Sequence, residues 1–143
     1  MLSIDIDGND YWVWQALTVV RPAVVVVEYN GRLGPERAIT IPYDPTFKRM
    51  DASATGIYYG ASLAAMVALG AAKGYDYVGS NSADMNAFFV RSKVRPKKLP
   101  RLTAAQGFRP LRIREMRDAD GRLMLARPSE EAAALADMTF VEV

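Results

Sequence analysis

Neither cysteine nor histidine occurs in this chain. Their absence removes disulfides, thiol nucleophiles, imidazole bases and every metal site built on thiolate or imidazole, so an ion bound here is held by oxygen alone. A chain without cysteine agrees with a reducing interior, and the cytoplasm is the expected compartment. Long apolar runs are missing as well. Stretches such as Ala23 to Val27 are far too short to cross a bilayer, and no basic-then-apolar leader stands before Leu2, so a soluble protein with no membrane partner is expected. No internal repeat is visible.

What is present suits one domain: 143 residues, half of them hydrophobic, can bury a real core. The net charge of +2 conceals an uneven distribution, because twelve of the 18 Lys and Arg fall between residues 91 and 127, against only Glu115, Asp118 and Asp120. No aromatic ladder accompanies this basic run, so a solvated surface is favoured over a nucleic-acid interface.

The stretch Leu2 to Asp10 organises the rest. Ile4 and Ile6 alternate with Asp5 and Asp7, which predicts a strand with both carboxylates at its carboxyl end. Gly8 turns the backbone, and Asn9 or Asp10 is placed to cap a helix over Tyr11 to Leu17. Ala23 to Asn30 then reads as a buried parallel strand ending in an acid and an amide. A βαβ unit of this kind brings both carboxyl ends to one sheet edge, so Asp5, Asp7, Glu28 and Asn30 are expected to meet.

Residues 31 to 59 read as a long irregular loop carrying Tyr43, Asp44, Phe47, Lys48, Arg49, Tyr58 and Tyr59, able to close over a substrate or simply to cover the sheet. Ala61 to Lys73 is the clearest helix, with Ser62 as its cap and Gly74 as its stop. Tyr75 to Gly79 and Asn86 to Arg91 predict an antiparallel pair, with Phe88 and Phe89 on opposite, covered faces. A proline-marked basic strap from Ser92 to Pro110 follows. Beyond it come a hairpin about Asp118 to Gly121, a short helix from Ser129 to Met138 and a last strand from Thr139.

Together these residues resemble the C-terminal half of a class I S-adenosylmethionine-dependent methyltransferase of the FkbM type. Ser3-Ile4-Asp5-Ile6-Asp7-Gly8-Asn9-Asp10 is similar to that family's Lys-Ile-Asp-Val-Glu-Gly-x-Glu signature, with Ser3 departing from its Lys. The resemblance implies an α/β fold: a partial Rossmann-like sheet of strands four, five, seven and six, with seven antiparallel between five and six. Residues 1–91 form this half-domain and 92–143 a basic C-terminal extension. It implies O-methyl transfer from S-adenosylmethionine to a small-molecule hydroxyl, with Asp7 and Glu28 catalytic, Asp5 on the cofactor side and Asn30 on the substrate; Tyr43 and Tyr59 of the long loop are the expected further substrate contacts. The strands that carry the glycine-rich cofactor loop are missing, and nothing here resembles Gly-x-Gly-x-x-Gly after a strand. The first strand is therefore expected to be an open edge that pairs with a preceding segment, a partner chain or a second copy through Leu2 to Ile6.

Two chemistries fit the acidic tips. Asp5, Asp7, Glu28 and Asn30 form an all-oxygen set suited to Mg²⁺ or Ca²⁺, similar to the metal-holding acids of catechol-type methyltransferases. Without metal, Asp7 or Glu28 serves as a general base, raised in pKa by its neighbours. A plainer role has the carboxylates shaping the turn and the helix start. Asp5-x-Asp7-Gly8 also resembles the first motif of haloacid-dehalogenase-type phosphatases. A half-sheet that serves only as an interaction module is the non-enzymatic alternative.

Overall fold

A computed structural model describes residues 1–143. Strand β1 (Leu2–Ile4) leads through helix α1 (Asp10–Ala16) to β2 (Val24–Glu28). The long loop carries β3 (Ile39–Thr40) and α2 (Arg49–Ala52). Helix α3 (Leu63–Ala72) follows, then the hairpin of β4 (Tyr75–Ser80) and β5 (Asn86–Arg91). The remainder holds α4 (Ala104–Gly107), β6 (Glu115–Arg117), β7 (Leu123–Leu125), α5 (Pro128–Leu135) and β8 (Val141–Glu142).

The main sheet has four strands in the order β1-β2-β5-β4. β1 and β2 are parallel, with Leu2 opposite Val25 and Ile4 opposite Val27. β5 is antiparallel to both β2 and β4, so β1, β2 and β4 share one direction. The fold is thus mixed α/β, and the carboxyl ends of three strands lie along one edge of the sheet. β1 forms one side of the sheet and pairs only with β2.

Both helical crossovers, β1 to β2 and β2 to β4, step the same way across the sheet. Right-handed connections stepping in one direction deliver their helices to one face, which is where α1 and α3 pack. Trp14 packs tilted against Phe89, ring centroids 4.8 Å apart, and meets Tyr75 edge-on, while Val25, Val27, Met66 and Phe89 are wholly buried. Gly70 allows the approach: a Cβ there would stand 2.8 Å from the Phe89 ring. Helix α3 is set as expected, with the Ser62 hydroxyl accepting from Ala65 N–H at 3.1 Å and Gly74 ending it at φ +82°. Of the two faces expected to be covered, one is fully and the other partly buried. The opposite face carries Val24, Val26, Phe88 and Val90, and these stay half-buried because no crossover helix reaches that side.

Beyond β5 the basic strap rounds the β4 edge. Arg95 and Arg101 meet Asp76 at 2.7 and 3.4 Å, and Leu102 N–H donates to Tyr77 O. Farther on, the chain returns to the long loop. β8 pairs with β3, and buried Glu131 takes Arg32 at 2.8 Å and Arg114 beside it. The tail thereby walls the carboxyl edge of the sheet.

Candidate functional site

The loop after β1 is folded by Asp10. Its carboxylate accepts the N–H groups of Ile6 and Gly8, each at 3.0 Å, from a position 1% exposed. Burial pushes this carboxyl up, and those N–H bonds pull it back. The pulled-in loop ends β1 early, leaves Ile6 51% exposed and puts Asp7 at φ +59°. Gly8 lies flat against Phe47, with a Cβ position 2.4 Å from that ring. The expected side-chain cap is absent: Asn9 occupies the cap position of α1, yet its amide donates to Asp44 O at 2.8 Å.

Glu28 closes β2 at the carboxyl edge of the sheet. Only 8% exposed, it has an Oε2 that is buried with no hydrogen-bond partner. Burial first, then repulsion from Asp5, Asp10 and Asp7, pushes its carboxyl up to about 8, with Arg49 opposing in part. A carboxyl poised near neutrality has the proton affinity a general base needs. Asp5, Asp7 and Glu28 thus share one electrostatic neighbourhood, as the strand pattern indicates.

Asn30 does not join them. Its amide donates to Ile57 O at 2.9 Å and Tyr59 O at 3.0 Å, and its carbonyl accepts from Arg32 N–H. This fully buried side chain pins the loop: both amide N–H donors are committed to carbonyls, its oxygen already accepts one N–H, and no face of it is open to a metal or a substrate. Tyr43 also stands apart, 60% exposed and edge-on to Trp12.

Tyr59 is buried beneath Arg49, whose guanidinium carbon lies 3.9 Å above its ring. Burial, and next the Glu28 charge, push the Tyr59 hydroxyl up to about 12. Arg49 also pairs with Asp7 at 3.0 Å and donates to Gly56 O. It lines two adjoining cavities. One, of about 410 Å³, is bounded by Tyr59, Met85, Leu111, Arg112 and Ile113; the other, of about 650 Å³, by Asp7, Phe47, Lys48 and Met116. Glu115 lines both. Arg49 is the residue that sequence reading placed on the loop and left without a role. Its signal was the need of a dense acid cluster for a countercharge nearby.

No group of three or more carboxylates stands close enough to hold a metal ion. S-adenosylmethionine, implied by the resemblance, finds no fitting cradle either: the turn between β1 and α1 is filled at Gly8 by Phe47, and no glycine-rich loop opens a helix.

Fold and site together define a mixed α/β protein with a buried, elevated carboxyl at its sheet edge beside an arginine-lined cleft. No protein-family model, no curated protein and no solved structure matches the chain. No helix is long and apolar enough to cross a membrane.

Proposed function

We propose that this chain is the acceptor-binding part of an α/β methyltransferase, in which Glu28 takes the proton from a small-molecule hydroxyl. The observation that carries the reading is Glu28 itself: a buried carboxyl at the carboxyl edge of a sheet, with an unpartnered oxygen and a pKa about 8. Proton transfer to it leaves the acceptor oxygen a stronger nucleophile. Arg49 sits where it steadies the charge on Glu28 and floors the cleft with Tyr59.

The methyltransferase class is favoured by strand order. Four strands as β1-β2-β5-β4 with β5 reversed have the arrangement expected of that family's strands four, five, seven and six. The donor S-adenosylmethionine supplies the methyl group in such enzymes; its binding belongs to strands that pair with the free side of β1. A preceding segment or a separate chain provides them.

Labelled methyl transfer from S-adenosylmethionine to phenol, sugar and lipid hydroxyls tests the proposal on the natively purified chain with its copurifying partners. Transfer that falls at least ~100-fold in Glu28→Gln is the expected result. Transfer that survives this change, or no transfer and no saturable donor binding by calorimetry, contradicts it.

A further inference from the structure

The cavity beside Tyr59 has a lining that a base and its countercharge do not explain. Met85, Leu111 and Ile113 give it an apolar body, and Arg112 stands at its wall. Arg112 has no carboxylate within ion-pair distance, unlike Arg32, Arg49 and Arg114. It also lines a neighbouring polar cavity of about 530 Å³, together with Ser80, Ser82 and Arg109. Arg109 bonds only to the carbonyls of Gln106 and Phe108 and forms no ion pair; buried Asp84, in the same cavity, is the one carboxylate whose field both it and Arg112 feel.

Ser82 and Arg112 line both cavities, so the two spaces are neighbours along the carboxyl edge of the sheet, with Tyr59 in one and Arg109 in the other. The chemistry along this edge is graded: Tyr59, which feels the Glu28 charge, at one end, apolar walls between, and two guanidinium groups that make no ion pair at the other. The acids facing the cationic end are Asp84, which is buried, and Glu115 at the far wall. Guanidinium forks without a carboxylate partner, set beside hydroxyl donors, match an oxyanion.

We infer that the acceptor is a small molecule with an apolar body and an oxyanion, carboxylate or phosphate, which Arg112 and Arg109 hold while its hydroxyl lies at Tyr59. This inference rests on the reading of Glu28 as the base. It assigns the basic residues 109 to 112 a ligand, where composition alone showed only a charged stretch.

The test is calorimetric titration at pH 7 and low salt with 4-hydroxybenzoate, 4-hydroxyphenyl phosphate and the neutral 4-hydroxybenzamide. At least one anion is expected to bind ~10-fold or more tighter than the amide, with the preference shrinking as salt rises. Arg109→Ala/Arg112→Ala removes the preference; Arg37→Ala, at an exposed pair with Glu142, keeps it. Equal binding of anions and amide overturns the inference, and so does an equal loss in Arg37→Ala. Binding is read without methyl transfer, so the two readings fail separately. A lost preference with Glu28 still titrating near 8 overturns only the oxyanion site, whereas a Glu28 carboxyl near 4.5 with the preference intact overturns only the base.

Discussion

Arg49 sits over Tyr59, its guanidinium carbon 3.9 Å from the ring centroid. The same side chain reaches Asp7 at 3.0 Å, so one cation ties the acidic loop after β1 to the aromatic floor of the cleft. Three acids raise Glu28, and Arg49 is the one cation that lowers it. Its removal therefore has a definite sign.

Arg49→Ala is expected to move the Glu28 titration upward from about 8. It also costs stability, about 1 kcal/mol for the lost stacking contact. Carbon-detected NMR of labelled glutamate side chains reads the first effect and urea unfolding the second. An unchanged or lowered midpoint would separate Arg49 from Glu28.

Stability should fall with rising pH in a window set by Glu28. The folded carboxyl titrates at about 8 and the unfolded one at its ordinary 4.5, so between these values the folded state binds more protons. The contribution is whole below 4.5 and lost as pH rises through 8. Glu28→Gln, neutral throughout, should flatten this slope and exceed the wild type in unfolding free energy from urea titration at pH 9, by an amount on the order of a few kcal/mol. Parallel pH profiles for the two proteins would contradict the shift.

Glu131 anchors the tail. Its side chain is 3% exposed and serves both Arg32 and Arg114, and Arg32 is itself nearly as buried. Glu131→Gln leaves those charges without a counterion and should cost about 3–5 kcal/mol. Hydrogen exchange at Val143 N–H, which donates to Ala38 O, should quicken as β8 leaves β3.

Asn30→Ala should weaken the fold by about 2–3 kcal/mol, because two buried carbonyls lose their donor. A residue kept for substrate contact would instead show lost binding with little change in urea midpoint.

The sheet was legible where pattern and register coincide. The alternation about Ile4, the β-branched run at Val24 to Val27 and the Ser62 and Gly74 signals around α3 each state a local preference that the packing keeps. The pairing of β3 with β8 was not, since two-residue strands far apart in sequence carry no period. The site divided in the same way. Glu28 was readable from its place at the end of a strand. Asn30 shared that place, but its role depends on the carbonyls of Ile57 and Tyr59, which only the closed loop brings near. Asp10 resembled a helix cap and instead bonds backward into its own loop, a choice between two nearby sets of N–H groups that spacing does not make.

The open edge of β1 carries a further expectation. Light scattering at high concentration should show association of the chain, since Leu2 to Ile4 present unpaired backbone groups on the side away from β2. A monodisperse monomer would count against pairing through a second copy.

The account turns on one proton. Titration of the Glu28 carboxyl by carbon-detected NMR, assigned through Glu28→Gln, measures it directly. A midpoint near 8 is the result expected of a buried base poised to deprotonate a hydroxyl; a midpoint near the ordinary 4.5 would contradict the proposed function.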